Sequence, residues 1–301
     1  MNPLIVVGLC GIVAALVSFA VSASRTLTID PVDPALEERA FRRWIRRHPK
    51  FARFLGERMD RRTAGGFLLS MSIVVVFVVS VIVGALLDLI GDGSWLGHID
   101  RSVAEWGSRH QTSSVVSGLK WVTQLGSTVV ISAILVIVAG VGYIKRRRTD
   151  VVLFVLAVGV GQLALANLLK VTVHRARPAV LHLVAASGYS FPSGHAVAAA
   201  AAWSAVALVL GFGHSRRTRA VLAGAAALIA VSVAASRALL GVHWISDVVA
   251  GLVIGWGWFT IVAVLFDGRA QRLGAAVVET AGPVTPAVVP QADSTPAASA
   301  G

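Results

Sequence analysis

SFPSGHAVAAAAAWSAVALVLGFGHSRRTRAVLAGAAALIAVSVAASRALLGVHWISD, from Ser190 to Asp247, decides the fold. It holds two apolar runs of about 20 residues, each long enough to cross a ~30 Å hydrocarbon core. A basic turn, Ser215 to Arg219 (SRRTR), joins them. One run enters the membrane and the next returns, so the histidine motif at the start and the Ser236–Asp247 motif at the end finish on the same face. Charged residues at membrane depth cost roughly 2.5–3.5 kcal/mol each on insertion scales, so those kept near span ends tend to mark function.

Outward from this stretch the chain reads as seven spans, at about 4–23, 66–90, 125–144, 151–170, 194–212, 220–240 and 245–266. The expected fold is an all-α, polytopic membrane helix bundle. Residues 1–24 form an anchor, 25–65 a basic cytoplasmic segment, 66–266 the membrane domain and 267–301 a disordered tail. Hydrophobic residues make up 56% of the chain and charged ones 14%, which excludes an ordinary soluble domain. The net charge of +12 does not point to nucleic acid, because the basic residues lie mostly in short loops, where the positive-inside rule places them. The single cysteine, Cys10, forms no intrachain disulfide.

The loops also set orientation. Lys145–Arg148 (KRRR), SRRTR and the Arg-rich stretch from Arg25 to Arg62 all face the cytoplasm only if the number of spans is odd and the N-terminus is outside. The localisation expected is the plasma membrane, multi-pass, with the motifs facing outward. Val21-Ser22-Ala23 resembles a cleavage site, but Met1-Asn2-Pro3 lacks the positive region of a signal peptide, so the reading is a retained anchor. Residues 33–62 read equally as a basic amphipathic helix on an anionic leaflet or as an ordinary positive-inside loop. Segment 91–124, with Asp100, Trp106, Arg109 and Trp121, is expected to be helical. It is read as an interfacial helix anchored by tryptophan, with a cap over the site as the other reading. From Ala275 the Ala, Val, Pro, Thr and Ser composition lacks the means to build a core. No repeat, heptad or glycine-rich nucleotide loop is present, and nothing sets an oligomeric state.

Three motifs carry chemistry. In KVTVHRARP, Lys170 ends a span and Arg177 precedes Pro178. An arginine fork matches phosphate oxygens and lysine acts as a point charge, while Pro178 turns Arg177 away from helix. Snorkelling by Lys170, Arg175 and Arg177 is the alternative, though a basic cluster on the outer face runs against the positive-inside rule. In SFPSGH, Pro192 is expected to start a helix whose first turn holds Ser193, Gly194 and His195. There unpaired N–H groups favour an anion, and Gly194 allows close approach. In SRALLGVHWISD, His243 and Asp247 share a face if helical, so the carboxylate can fix the imidazole tautomer. Arg237 stands at the end of the preceding span. A His–Asp pair that merely ties two helices together is the alternative. Jointly, three cations, a helix start and two histidines suit phosphoryl transfer. These residues alone do not decide which histidine attacks, although the Asp247 partner favours His243.

The pattern Lys-x6-Arg-Pro, Pro-Ser-Gly-His, Ser-Arg-x5-His-x3-Asp resembles the type 2 phosphatidic acid phosphatase superfamily over roughly 66–266. Lys170, Arg177, Pro178, Pro192, Ser193, Gly194, His195, Ser236, Arg237, His243 and Asp247 all match. The resemblance implies a six-helix phosphatase core plus the N-terminal span. It implies that His243 attacks phosphorus, Asp247 orients it, and His195 protonates the leaving oxygen and later activates water. Lys170, Arg177, Ser193, Gly194 and Arg237 would hold the phosphoryl oxygens, with no metal and no cofactor. The soluble haloperoxidases of the same superfamily do not fit seven spans. The substrate expected is a lipid phosphate or diphosphate such as undecaprenyl diphosphate, phosphatidic acid or phosphatidylglycerol phosphate. A phosphotransferase, and a transporter using the cations for binding only, are the other readings.

Overall fold

The computed structural model describes residues 2–23, 64–90, 94–146, 149–212 and 214–266. Apart from residues 64 and 65, the expected basic segment lies outside them, as does the tail from 267. The elements are α1 (Pro3–Ala23), α2 (Ala64–Asp88), α3 (Trp95–Arg109), α4 (Ser113–Gln124), α5 (Thr128–Arg146), α6 (Thr149–Val173), α7 (Gly194–Gly211), α8 (Arg216–Leu239) and α9 (Ile245–Phe266). No strand occurs among the described residues. Among the described residues, six stretches are long and apolar enough to span a bilayer, one of them running through α4 and α5, and α2 adds a shorter apolar stretch at Ser72–Asp88. The seven expected spans thus correspond to α1, α2 and α5–α9, with the last matching to the residue.

Helix α7 is the hub. Its alanines from Ala196 to Ala202 are almost fully buried among α5, α6, α8 and α9. Between lipid-embedded helices there is no water to expel, so association depends on close packing and small residues. The Gly251–Gly255 pair on α9 shows this. A Cβ on Gly251 would stand 2.8 Å from Ala196 Cβ and 2.9 Å from the Ser193 carbonyl oxygen, and one on Gly255 would stand 2.7 Å from Ala200 Cβ.

Helix α1 runs antiparallel to α8. Near its N-terminus Val7 packs with Val115, Leu119, Leu239, Leu240 and Val242, and near its C-terminus the Ser22 carbonyl accepts from Arg216 Nε at 3.3 Å. The N-terminus therefore lies at the same end of the bundle as the motif that follows α8. The outer flank of α1, including Ile5, Leu9, Val13 and Leu16, is exposed, as a lipid-facing helix requires.

Segment 91–124 is helical as expected, as α3 and α4. Trp95 and Trp121 are exposed like interfacial anchors, but α3 also buries Leu96, Gly97, Asp100, Ala104 and Gly107. This face packs on the end of α8, where a Gly107 Cβ would stand 3.0 Å from the Leu239 carbonyl oxygen. The helix is therefore part of the domain rather than a float on its surface.

A candidate phosphate site at one end of the bundle

Each motif ends a helix or begins one, and all lie at one end of the bundle. Helix α6 runs past Lys170 to Val173, so Lys170 sits in its last turn. The chain from 174 to 193 then crosses the end of the bundle without regular structure. Pro192 precedes the cap instead of starting the helix. Ser193 is the N-cap of α7, its backbone N–H donating to the Asp247 carbonyl at 3.1 Å. The reason is that this bond from α9 fixes the extended backbone that an N-cap needs.

Helix α8 ends in a turn at Leu240–Gly241, where Gly241 has φ +74°, a conformation natural only to glycine. A Cβ there would stand 2.9 Å from the Leu181 carbonyl oxygen. This turn delivers Val242 and His243 to the site. His243 lies just before α9 and not on it, since α9 begins at Ile245. Asp247 is in the first turn, and its Oδ2 accepts the Trp244 backbone N–H at 3.0 Å, as a capping acid does.

The His243 Nδ1 to Asp247 Oδ2 distance is 3.6 Å, longer than a hydrogen bond, and Nδ1 has no partner among the described residues. Arg177 Nη1 lies 3.4 Å from the opposite nitrogen, Nε2. The neighbours of Asp247 are a finding the sequence motifs do not announce. Ser190 Oγ donates to Oδ2 at 2.5 Å, and Arg175 Nη1 donates to Oδ1 at 2.5 Å. The same guanidinium donates through Nη2 to Asp100 Oδ2 at 2.7 Å. Asp100 also accepts the Ser246 backbone N–H at 2.9 Å and its hydroxyl at 2.6 Å. Asp100, Ser190, Ser246 and Asp247 are all fully buried. Arg175 is thus no snorkelling side chain. Its one signal in the sequence is that it stands two residues before Arg177.

The cations fall into two groups. Lys170 Nζ donates to the Tyr189 carbonyl at 3.2 Å. Arg177 donates to the carbonyls of Ser187, Gly188, Tyr189 and Val242 at 2.6–3.3 Å, so both tie down loop 187–189. Arg237 differs: it is buried, and its Nε has no partner among the described residues. The Ser193 hydroxyl is fully buried and also has no partner among the described residues. His195 stands within electrostatic range of Arg237, His243 and Lys170. Four cations (Lys170, Arg175, Arg177, Arg237) thus face two carboxylates, and unsatisfied donors surround the histidines. Buried donors without partners are rare, and here they gather at a net positive site suited to a dianionic phosphate. Outside the spans, burial lowers the Arg177 pKa, partly offset by Asp247.

Comparison with known proteins agrees. Residues 150–271 match the PAP2 superfamily. The chain is 33% identical to phosphatidylglycerophosphatase B of Bacillus subtilis (strain 168) over 153 residues, covering 50% of this chain and 74% of that protein. It is 35% identical to a lipid A 1-phosphatase of Rhizobium etli over 119 residues, covering 36% of this chain and 47% of that one. A crystal structure of a transmembrane PAP2-type phosphatidylglycerolphosphate phosphatase from Bacillus subtilis superposes with a TM-score of 0.56 at 26% identity, over 62% of this chain and 92% of that one. The chain therefore belongs to the PAP2 superfamily and is a multi-pass membrane enzyme of its lipid phosphatase family.

Proposed function

We propose that this enzyme hydrolyses a phosphomonoester or diphosphate of a membrane lipid at the outer face of the plasma membrane, through a phospho-histidine. The observation that carries this is the meeting of His243, His195, Arg237 and the Ser193 hydroxyl with open donors at one bundle end, beside a carboxylate fixed by three hydrogen bonds.

The substrate phosphorus approaches His243 Nε2 near Arg177 Nη1. The lone pair on Nε2 forms the N–P bond as the P–O bond to the lipid breaks. The leaving oxygen takes its proton from His195. Asp247 balances the charge that grows on the His243 ring, and a small ring movement closes the 3.6 Å gap to Nδ1. Water then attacks the phospho-histidine, giving a proton to His195 and releasing inorganic phosphate. Arg237, Ser193, the Gly194 backbone, Lys170 and Arg177 hold the non-bridging oxygens, where positioning and charge are most of the catalysis. The bilayer brings the substrate laterally, and no nucleic acid takes part.

Burial is the largest influence on His243 and, with Arg237 and Arg177 nearby, outweighs Asp247 and lowers its pKa to about 4. The neutral, attacking form then persists as pH falls, and activity is lost only near pH 4. The test is release of phosphate by detergent-purified enzyme in EDTA, beside His243→Ala. Wild type should release phosphate from phosphatidic acid, phosphatidylglycerol phosphate or undecaprenyl diphosphate, and the variant should fall by at least ~10³-fold, as nucleophile removal does elsewhere. Corrected for the substrate's own ionisation near pH 6, the acid limb of kcat/KM should lie near pH 4. Equal activity in both proteins, or an enzyme limb near 6.5, would remove His243 from this role.

A further inference from the structure

A cavity of about 470 Å³ opens beside the site, lined by His195 and Arg237 together with Lys120, Thr123, Gln124, Ser127 and the loop 183–185. Lys120, Thr123 and Gln124 belong to α4, which lies before residue 150 and so outside the matched family region. Of the proposed machinery, it is the proton donor and one phosphate-holding cation that reach this cavity. In an in-line displacement the leaving oxygen departs on the side opposite the nucleophile. If His195 protonates that oxygen, the cavity on the His195 side receives the leaving group.

Its walls are not those of an acyl-chain slot. Thr123 is 96% buried and lines the cavity, and its buried hydroxyl has no hydrogen-bond partner among the described residues. Gln124 and Ser127 add an amide and a hydroxyl. The Lys120 ammonium makes no hydrogen bond or ion pair among the described residues, unlike Lys170 on the loop carbonyl. A free cation and an unsatisfied buried hydroxyl on the leaving-group side match a leaving group that is itself anionic. The diacylglycerol released from phosphatidic acid carries no charge.

We infer that Lys120 and Thr123 form a second anion subsite, and that the preferred substrate is a lipid whose leaving group carries its own phosphate. This rests on the phosphatase reading above. Two sources share that chemistry: a lipid diphosphate, whose second phosphate adjoins the reacting one, and phosphatidylglycerol phosphate, whose phosphodiester lies a glycerol away.

The experiment measures kcat/KM of the full chain in mixed micelles on phosphatidic acid, phosphatidylglycerol phosphate and a prenyl diphosphate, for wild type, Lys120→Gln, Lys120→Arg and Thr123→Val. The expected result is preference of wild type for one or both doubly phosphorylated lipids. Lys120→Gln should lower kcat/KM on the preferred lipid about tenfold, chiefly through KM, as loss of a charge-assisted contact does. It should change phosphatidic acid by less than about twofold, and Lys120→Arg should restore most of the loss. Thr123→Val should act in the same direction. A fall confined to the diphosphate or to phosphatidylglycerol phosphate identifies the spacing that the subsite reads. Equal falls on all three lipids, no fall on any, or wild-type preference for phosphatidic acid would overturn the subsite while leaving the phosphatase intact. Wild type inert on all three would instead remove the phosphatase reading itself.

Discussion

Arg175 holds two buried carboxylates at once, Asp100 on α3 and Asp247 on α9. Its guanidinium also stands 5.3 Å from the Trp244 ring centre, and the Trp244 indole N–H donates to the Ala176 carbonyl at 2.9 Å. A buried ion pair adds little beyond its desolvation cost, but removing one member strands the other. Arg175→Met should therefore destabilise the protein by roughly 3–5 kcal/mol and lower its thermal midpoint in detergent. Asp100→Asn keeps the Oδ1 acceptor for the Ser246 N–H but sets an amide donor where Oδ2 accepts from Arg175 and the Ser246 hydroxyl, so it too should destabilise the protein. It should still reduce kcat more than it raises KM, because Arg175 would then follow Asp247 alone. The double variant Arg175→Met with Asp100→Leu should lose less than the sum of the singles. Arg175→Met melting with wild type would show that the network positions nothing. The sequence hides this network for a plain reason: Asp100 and Arg175 are 75 residues apart, and each alone looks like an interfacial charge. The phosphate motifs were legible because their spacing is local to one helix end.

At the scale of elements, α7 and α9 approach so closely that two glycines on α9 form the contact. Gly251 faces the Ser193 carbonyl, so the packing surface and the anion site are the same piece of backbone. Gly251→Ala should push α9 away from Ser193, disturb the Ser193 N–H bond to the Asp247 carbonyl, and cost about 1–3 kcal/mol as overpacking does. It should also reduce kcat severalfold although it touches no substrate. Gly140 on α5 has nothing among the described residues within 4 Å of where a Cβ would stand. Gly140→Ala should be neutral or stabilising by up to ~1 kcal/mol, with unchanged kcat, since alanine favours helix. Thermal midpoints and kcat of the two variants, measured together, check the pair. Equal effects would mean that the α7–α9 contact is not limiting. The seven spans were readable because bilayer thickness dictates their length. Helix starts were less so. Pro192 reads as a first helical residue, yet a bond from the Asp247 carbonyl makes Ser193 the cap. His243 and Asp247 share a face only if both are helical, and the Gly241 turn leaves His243 just outside α9. In the first case a contact from a distant helix overrides the local preference, and in the second a glycine turn sets the helix start.

The whole molecule joins the N-terminus and the site at one end. Val7 packs with Leu239, Leu240 and Val242, and the site motif follows directly on that turn. At the opposite end lie Ser22 and Arg216, next to the basic turn 215–219. We propose, from the positive-inside rule, that this turn is cytoplasmic and that the site and the N-terminus face outward. Cys10 is the single native cysteine and sits within α1, so a Cys10→Ala background leaves a clean reporter. Ser114→Cys, on the exposed side of α4 at the site end, should react with a membrane-impermeant maleimide on intact cells. His214→Cys, in the exposed turn between α7 and α8, should react only after permeabilisation. With both variants retaining phosphatase activity, the reverse pattern would place the site in the cytoplasm. Its phosphate product would then be released inside the cell. Labelling of both on intact cells would mean that the turn 215–219 is not cytoplasmic, and an odd number of spans would no longer follow from the charge of the loops.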